Sequence, residues 1–206
     1  MMSQSLAIDG AGDGDPDPIV TAAIAVLSEV GPTRLTLAAV ARRAGVSRMT
    51  VYRRYPSVDA VVAAALTAEM DGVVRRAMSE QFSGNNRERV VGVTASGVRA
   101  LVDHTLLQRV LQVDPQSLLP LLVERIGSGQ RLVRDYLTVA LEAGMASRGG
   151  DGSIREADPR LMALVVLTMA QPYVVGMRPL SQEYPQEVLL AEMAAAINSY
   201  LKQEDQ

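Results

Sequence analysis

Apolar residues recur at three- and four-residue spacing along most of the chain, which is the period of an amphipathic helix. The first stripe is Val20, Ala23, Ile24 and Leu27. Asp17 is placed to cap this helix, Pro18 suits its first turn, and Gly31 with Pro32 stops it. A short second helix follows: Thr36 caps it, Leu37, Val40 and Ala41 form its inner face, and Gly45 ends it. Leu35 before the cap pairs with Val40 after it as a hydrophobic staple, and Val46 pairs with Val51 around the next cap, Ser47. The third helix covers about 48–55 and is broken by Pro56. Two short helices joined by a tight glycine turn form the helix-turn-helix pattern.

Ser57 caps a long fourth helix over about 58–81, with Val61, Val62, Ala65, Met70, Val73, Val74 and Met78 in register. Further helices are expected near 86–103, 105–112, 115–125, 127–147, 158–177 and 186–202, separated by breaker-rich loops at 83–86, 148–153 and 177–185. No hairpin signal and no internal repeat interrupts them. The fold class is all-α: an acidic, disordered tail over 1–16, a helix-turn-helix domain over 17–60 and a second helical domain over 61–206.

Composition removes several chemistries. The 206 residues include no Cys, no Trp and one His. That excludes disulfides, thiolate zinc sites, cysteine nucleophiles and multi-histidine metal cages. No glycine-rich phosphate loop, nucleophile elbow or paired metal ligands occur, so neither an enzyme, a cofactor nor a metal is expected. The start of the chain lacks the basic and apolar segments of a signal peptide. The longest apolar run, near 161–166, is far short of the 18 or so residues of a membrane span. A cytoplasmic protein with no membrane partner is expected.

Charge is unevenly placed. Between Gly31 and Val58 there are six arginines (34, 42, 43, 48, 53 and 54) and no acid, a formal +6 that leaves −9 for the rest of a chain of net charge −3. A basic block in an acidic chain is a local footprint for phosphates. On the third helix Val51 and Tyr55 are four apart and share an inner face. Arg48, Met49, Thr50, Tyr52, Arg53 and Arg54 then point outward or sideways, on a helix of a size that enters the DNA major groove. Arg bonds guanine at two atoms, Met and Thr touch a thymine methyl, and Thr and Tyr hydroxyls bond phosphate. The free N–H groups near Ser47 and Arg48 add a positive dipole end.

The stretch LTLAAVARRAGVSRMTVYRRYPSVDAVVAAAL resembles the DNA-binding domain of the tetracycline-repressor (TetR) family of bacterial regulators. The matching positions are Gly31, Thr36, Val40 and Ala41, the run Gly45–Val46–Ser47, the run Thr50–Val51–Tyr52, and Tyr55, over about 50 residues. The resemblance implies that Arg48 and Met49 read bases, and that Thr50 and Tyr52 bond phosphates or bases. It also implies that Arg53 and Arg54 flank the contact and that Thr36 meets a phosphate. Two positions depart from the family pattern. Val58 stands where a Lys is frequent, and Tyr55 stands where Phe is usual, so its hydroxyl needs a partner.

The same resemblance implies a homodimer on a palindromic double-stranded operator, a repressor released by a small apolar ligand, a pocket inside helices four to seven, and pairing through the last two helices. The apolar stripes there suggest Leu164, Leu167, Leu189, Met193, Ile197 and Tyr200 as interface residues. Location alone suggests Phe82, Leu101, His104, Leu107, Leu111, Leu122, Tyr136, Met145, Met169 and Tyr173 for the pocket. The alternative is a helical interaction or ligand-binding module without sequence-specific DNA binding.

Overall fold

The computed structural model describes residues 17–113 and 128–203. The tail over 1–16, the helix expected at 115–125 and Leu122 lie outside the described residues. The elements in chain order are α1 (Pro18–Val30), α2 (Leu37–Ala44), α3 (Arg48–Arg54), α4 (Val58–Ser79), α5 (Asn86–Val102), α6 (Thr105–Val113), α7 (Ser128–Glu142), α8 (Pro159–Leu180) and α9 (Gln186–Leu201). No strand occurs among the described residues, in line with the all-α expectation.

The head is built from local signals. Asp17 caps α1 through Oδ1, which accepts from the Ile19 N–H at 3.0 Å. Thr36 caps α2, Ser47 caps α3 and Ser57 caps α4, each hydroxyl accepting from the N–H three residues on at 3.1 Å. Gly45 takes the left-handed φ of 67° that closes α2 without a Cβ penalty. Val51 is fully buried in the core with Leu37, Val40 and Ala41 of α2, on which α3 packs. The buried stripe of α1 is Ile19, Ala22, Ala23, Val26 and Leu27, rotated from the expected one. The rotation follows from α1 packing on two partners, α2 and α4.

One continuous core joins this head to the remaining helices. α4 is shared between them. Val61, Val62, Ala65 and Leu66 are buried near α1, and Val73, Val74 and Ala77 are buried farther along. Burying each such Val or Leu side chain contributes about 1.5–3 kcal/mol before entropy is counted.

Two helix ends differ from the sequence pattern. α7 stops at Glu142, five residues before the expected end. The cause is non-local: Ile154 packs against Gly144 so closely that a Cβ there would lie 2.4 Å from its Cδ1. Asn86 then takes up the Ala143 carbonyl through Nδ2 at 2.7 Å. α8 runs on to Leu180, through Pro172 and Pro179. It has the length and, over 18 residues, the mean hydropathy (1.4) of a membrane span, contrary to the short apolar run seen in the sequence. Its Met162, Ala163, Val166, Ala170, Val174 and Met177 are buried, and it packs on α5, α7 and α9.

Asp151 ties the loop after α7 to the start of α5. Its Oδ2 accepts from the Asn86 N–H and Nδ2 at 2.8 and 2.9 Å, and its Oδ1 from the Ser153 N–H at 3.0 Å. Burial works to raise this carboxyl, but the bonds from Ser153 and Asn86 outweigh it and hold the group below the usual aspartate range. Its stabilisation is therefore present above the unfolded value of about 3.9 and is lost as pH falls through the depressed folded value. Asp151→Ala is expected to cost under about 1 kcal/mol at neutral pH, because the site is solvent-screened. Urea titrations from pH 7 down to pH 3 should show the difference from wild type shrinking.

Candidate functional site

The basic block folds onto one end of the molecule. On α3, Met49 is 75% exposed and Tyr52 51% exposed, and Arg48 and Arg53 are exposed beside them. Thr36, Arg42 and Arg48 border one shallow hollow at the starts of α2 and α3. Thr50 is turned inward from the expected position. It is half-buried, and its hydroxyl lies 2.8 Å from the Ser47 hydroxyl.

The charge of this surface is smaller than the sequence count. Arg43 pairs with Glu29 at 2.7 Å, and Arg54 pairs with Asp17 at 3.2 Å. Both acids lie outside the basic window, so the count could not show them. Among the described residues, Arg34, Arg42, Arg48 and Arg53 form no such ion pair, leaving +4.

The end of α3 is latched to the start of α1. The Tyr55 hydroxyl donates to Asp17 Oδ2 at 2.9 Å, which supplies the partner that a Tyr at this position requires. Burial, followed by the Asp17 carboxylate, pushes the phenol above its ordinary range, and Arg54 opposes this. Tyr55→Phe removes one bond to a charged acceptor and is expected to lower stability by about 1–2 kcal/mol. Equilibrium urea unfolding measures this. An unchanged midpoint would show that the latch is energetically idle.

Behind the head lies an apolar pocket of about 140 Å³, partly open to solvent and lined by α4, α5, α7 and α8. One face of α4 lines it for three turns, with Thr67, Met70, Asp71, Val74, Ala77 and Met78. Opposite stand Val93, Gly97, Val98 and Leu101 of α5, Gln130, Val133 and Tyr136 of α7, and Leu167, Ala170 and Gln171 of α8. Of the pocket candidates, Leu101 and Tyr136 are brought to this cavity. Leu107 and Met145 are instead buried in the core, and Leu111, Met169 and Tyr173 pack half-buried against it. Phe82 covers Gly92, where a Cβ would meet its ring at 2.5 Å.

His104 is a joint between elements and does not line the cavity. Its Nδ1 accepts from the Leu107 N–H at 3.3 Å, and its Nε2 lies 3.1 Å from Glu69 Oε2 on α4. Nearby, Arg109 of α6 donates to the Ser28 carbonyl at the end of α1 at 3.3 Å. Gly31 leaves room for that guanidinium, since a Cβ there would stand 3.1 Å from Arg109 Nη2. His104, just before α6, thus reaches α4, and α6 itself touches the head through Arg109.

The dimer candidates are corrected in part. Met193 (1% exposed) and Ile197 (0%) are buried in the chain's own core, because α9 packs on α5 and α8. Leu167 lines the cavity. Leu164, Leu189 and Tyr200 are half-buried, and the Tyr200 ring lies 4.5 Å from the Arg155 guanidinium. The large apolar residues that α8 and α9 leave exposed are Leu161, Val175, Leu180 and Val188.

A capped, latched basic helix on a two-helix brace, carried by a helical body with an apolar pocket, defines a helix-turn-helix protein of regulator architecture. Residues 19–65 match the family model of the bacterial regulatory proteins, tetR family. An uncharacterized HTH-type transcriptional regulator of Mycobacterium tuberculosis is 31% identical over 183 residues, covering 89% of this chain and 92% of the relative. Among solved structures, the R. erythropolis transcriptional repressor QsdR, from the TetR family, superposes with a TM-score of 0.67 at 18% identity, over 91% of this chain and 96% of that one. The transcriptional regulator FadR of Bacillus subtilis, in complex with stearoyl-CoA, gives 0.56 at 19% identity, over 89% and 98%. The chain belongs to the tetR family of bacterial regulatory proteins and is a transcriptional regulator, not an enzyme.

Proposed function

We propose that the protein is a repressor that binds a palindromic double-stranded operator as a homodimer in the cytoplasm and is released by a small apolar ligand. The observation that carries this function is the exposed row Arg48, Met49 and Tyr52 on a helix whose two ends are fixed by Ser47 and by the Tyr55–Asp17 bond. Arg48, Met49 and Tyr52 read bases in the major groove. Thr36, Thr50 and Arg53 meet phosphates, and Arg54, held by Asp17, positions the helix end. Residues 17–60 serve DNA and 61–206 serve ligand and partner, with α4 running through both.

Pairing uses the outer stripes of α8 and α9. Leu161, Leu164 and Val175 continue one stripe, and Val188, Ala191 and Ala195 the other; none of them is fully buried. A two-fold contact sets two recognition helices about 34 Å apart, one helical turn of DNA. The cavity supports ligand control, as does the stearoyl-CoA complex of the structural neighbour FadR. α4 lines the cavity and packs on α1, and α6 reaches α1 through Arg109. A ligand that shifts this linkage by about 1–3 kcal/mol changes DNA affinity about 5- to 150-fold.

The test is duplex binding as a function of salt. A regulator loses affinity steeply, with a log–log slope of about −0.9 per neutralised phosphate. Arg53→Ala is expected to flatten that slope by about one per recognition helix without changing base preference. A flat salt profile for the wild type would favour the module without DNA binding.

A further inference from the structure

A peroxide meets only one kind of sulfur in this chain. The 206 residues hold ten Met and no Cys. With no thiol to compete, susceptibility follows the exposure of each thioether. Met145, Met162, Met177 and Met193 are buried in the core, and Met70, Met78 and Met169 are half-buried. Met1 and Met2 lie outside the described residues. Met49 stands apart. At 75% it is the most exposed large apolar side chain among the described residues.

Its place gives that exposure a consequence. Met49 is the second residue of α3, next to Arg48 and one turn before Tyr52, both of them exposed. Its side chain lies outside the buried core, so a change of polarity there does not disturb the packing of α3. The thioether is apolar and suits a thymine methyl. The sulfoxide is polar and chiral and carries an acceptor oxygen. In the major groove that oxygen is repelled by the acceptors N7, O6 and O4 and drawn to the amino groups of adenine and cytosine.

We infer that Met49 is a reversible oxidation site at which a peroxide changes what the recognition helix reads. The sulfur lone pair takes one oxygen of hydrogen peroxide. The O–O bond breaks, the S–O bond forms, and the second oxygen leaves as water with both protons. Sulfur gives up two electrons and the peroxide gains them. Methionine sulfoxide reductases, one for each epimer, restore the thioether. In that step a dithiol supplies two electrons and closes to a disulfide, and the oxygen leaves as water. The inference rests on the proposed base reading by α3 and adds a chemical control to it.

Brief treatment of the full chain with hydrogen peroxide, followed by peptide mass spectrometry, tests the site. Met49 is expected to oxidise about tenfold faster than any other described methionine, with the melting temperature of the chain unchanged. Faster oxidation at another of them, or unfolding on oxidation of Met49, would overturn the inference. Duplexes enriched from a random pool by the untreated chain test the consequence. The oxidised chain is expected to bind the enriched duplex about tenfold more weakly, the scale of a mismatched base pair. That duplex should also protect Met49 from peroxide, and the two reductases with dithiothreitol should restore binding. Met49→Leu is the control. Whatever its own affinity, peroxide is expected to leave that affinity unchanged, which separates Met49 from Met1, Met2 and the half-buried methionines. Unchanged affinity of a chain carrying the Met49 sulfoxide, no protection by the duplex, or an equal loss in treated Met49→Leu would overturn the inference. Enrichment of no sequence by the untreated chain would instead refute base reading by α3, and the inference with it.

Discussion

Replacing Arg48 and Tyr52 together by alanine is expected to remove most of the discrimination between the operator and unrelated duplex while leaving the fold intact. Both side chains project from α3 into solvent, and Tyr52 is 51% exposed. Neither contributes to the seat formed by Val51. Surface substitutions of this kind stay within about ±0.5 kcal/mol of wild-type stability. Removing one base-reading side chain costs about 1–3 kcal/mol, so the pair removes about 2–6 kcal/mol per recognition helix. The remaining Arg34, Arg42 and Arg53 still attract phosphates, so weak, salt-sensitive binding to any duplex persists. Competition titrations with specific and unrelated duplexes measure this. Retained discrimination in the double variant would remove Arg48 and Tyr52 from the base-reading role.

A second large effect is expected on the outer stripes of α8 and α9. If the chain pairs as proposed, Leu161→Asp combined with Val188→Asp should convert the proposed dimer to a monomer that remains folded. These positions are 60% and 46% exposed, so two carboxylates there stay hydrated in the monomer but are stranded in an apolar contact. Light scattering should report half the mass, and operator affinity should fall to that of a single head. Ile197→Ala supplies the contrast. Ile197 is fully buried, so its truncation is expected to cost about 2–5 kcal/mol of folding stability and to leave the outer stripes of α8 and α9 unchanged. If Ile197→Ala dissociated the dimer and the aspartate pair did not, the interface would be elsewhere.

These contrasts follow from what the sequence could and could not express. The head was legible because its determinants are local. Asp17, Thr36, Ser47 and Ser57 each cap the helix they precede, and Gly45 supplies the one left-handed turn between α2 and α3. The pairs that reduce the basic surface were not legible. Glu29 reaches Arg43 and Asp17 reaches Arg54 across separate helices. The early end of α7 likewise depends on Ile154 closing over Gly144. In α8 and α9 the apolar residues occupy more than one face, so periodicity marked burial without telling core from contact surface. Met193 and Ile197 went to the core, and Leu167 went to the cavity. The polar lining of the cavity has no sequence signal: Asp71, Gln130 and Gln171 stand far apart in the chain and meet only because three helices converge.

Symmetric reading of DNA through α3 by a dimer has one decisive test. Bound duplexes are selected from a random pool with the purified chain and sequenced. The expected result is an inverted repeat whose half-sites lie about one helical turn apart, near 34 Å. Enrichment of a single unrepeated site, or of no sequence at low salt, would contradict it.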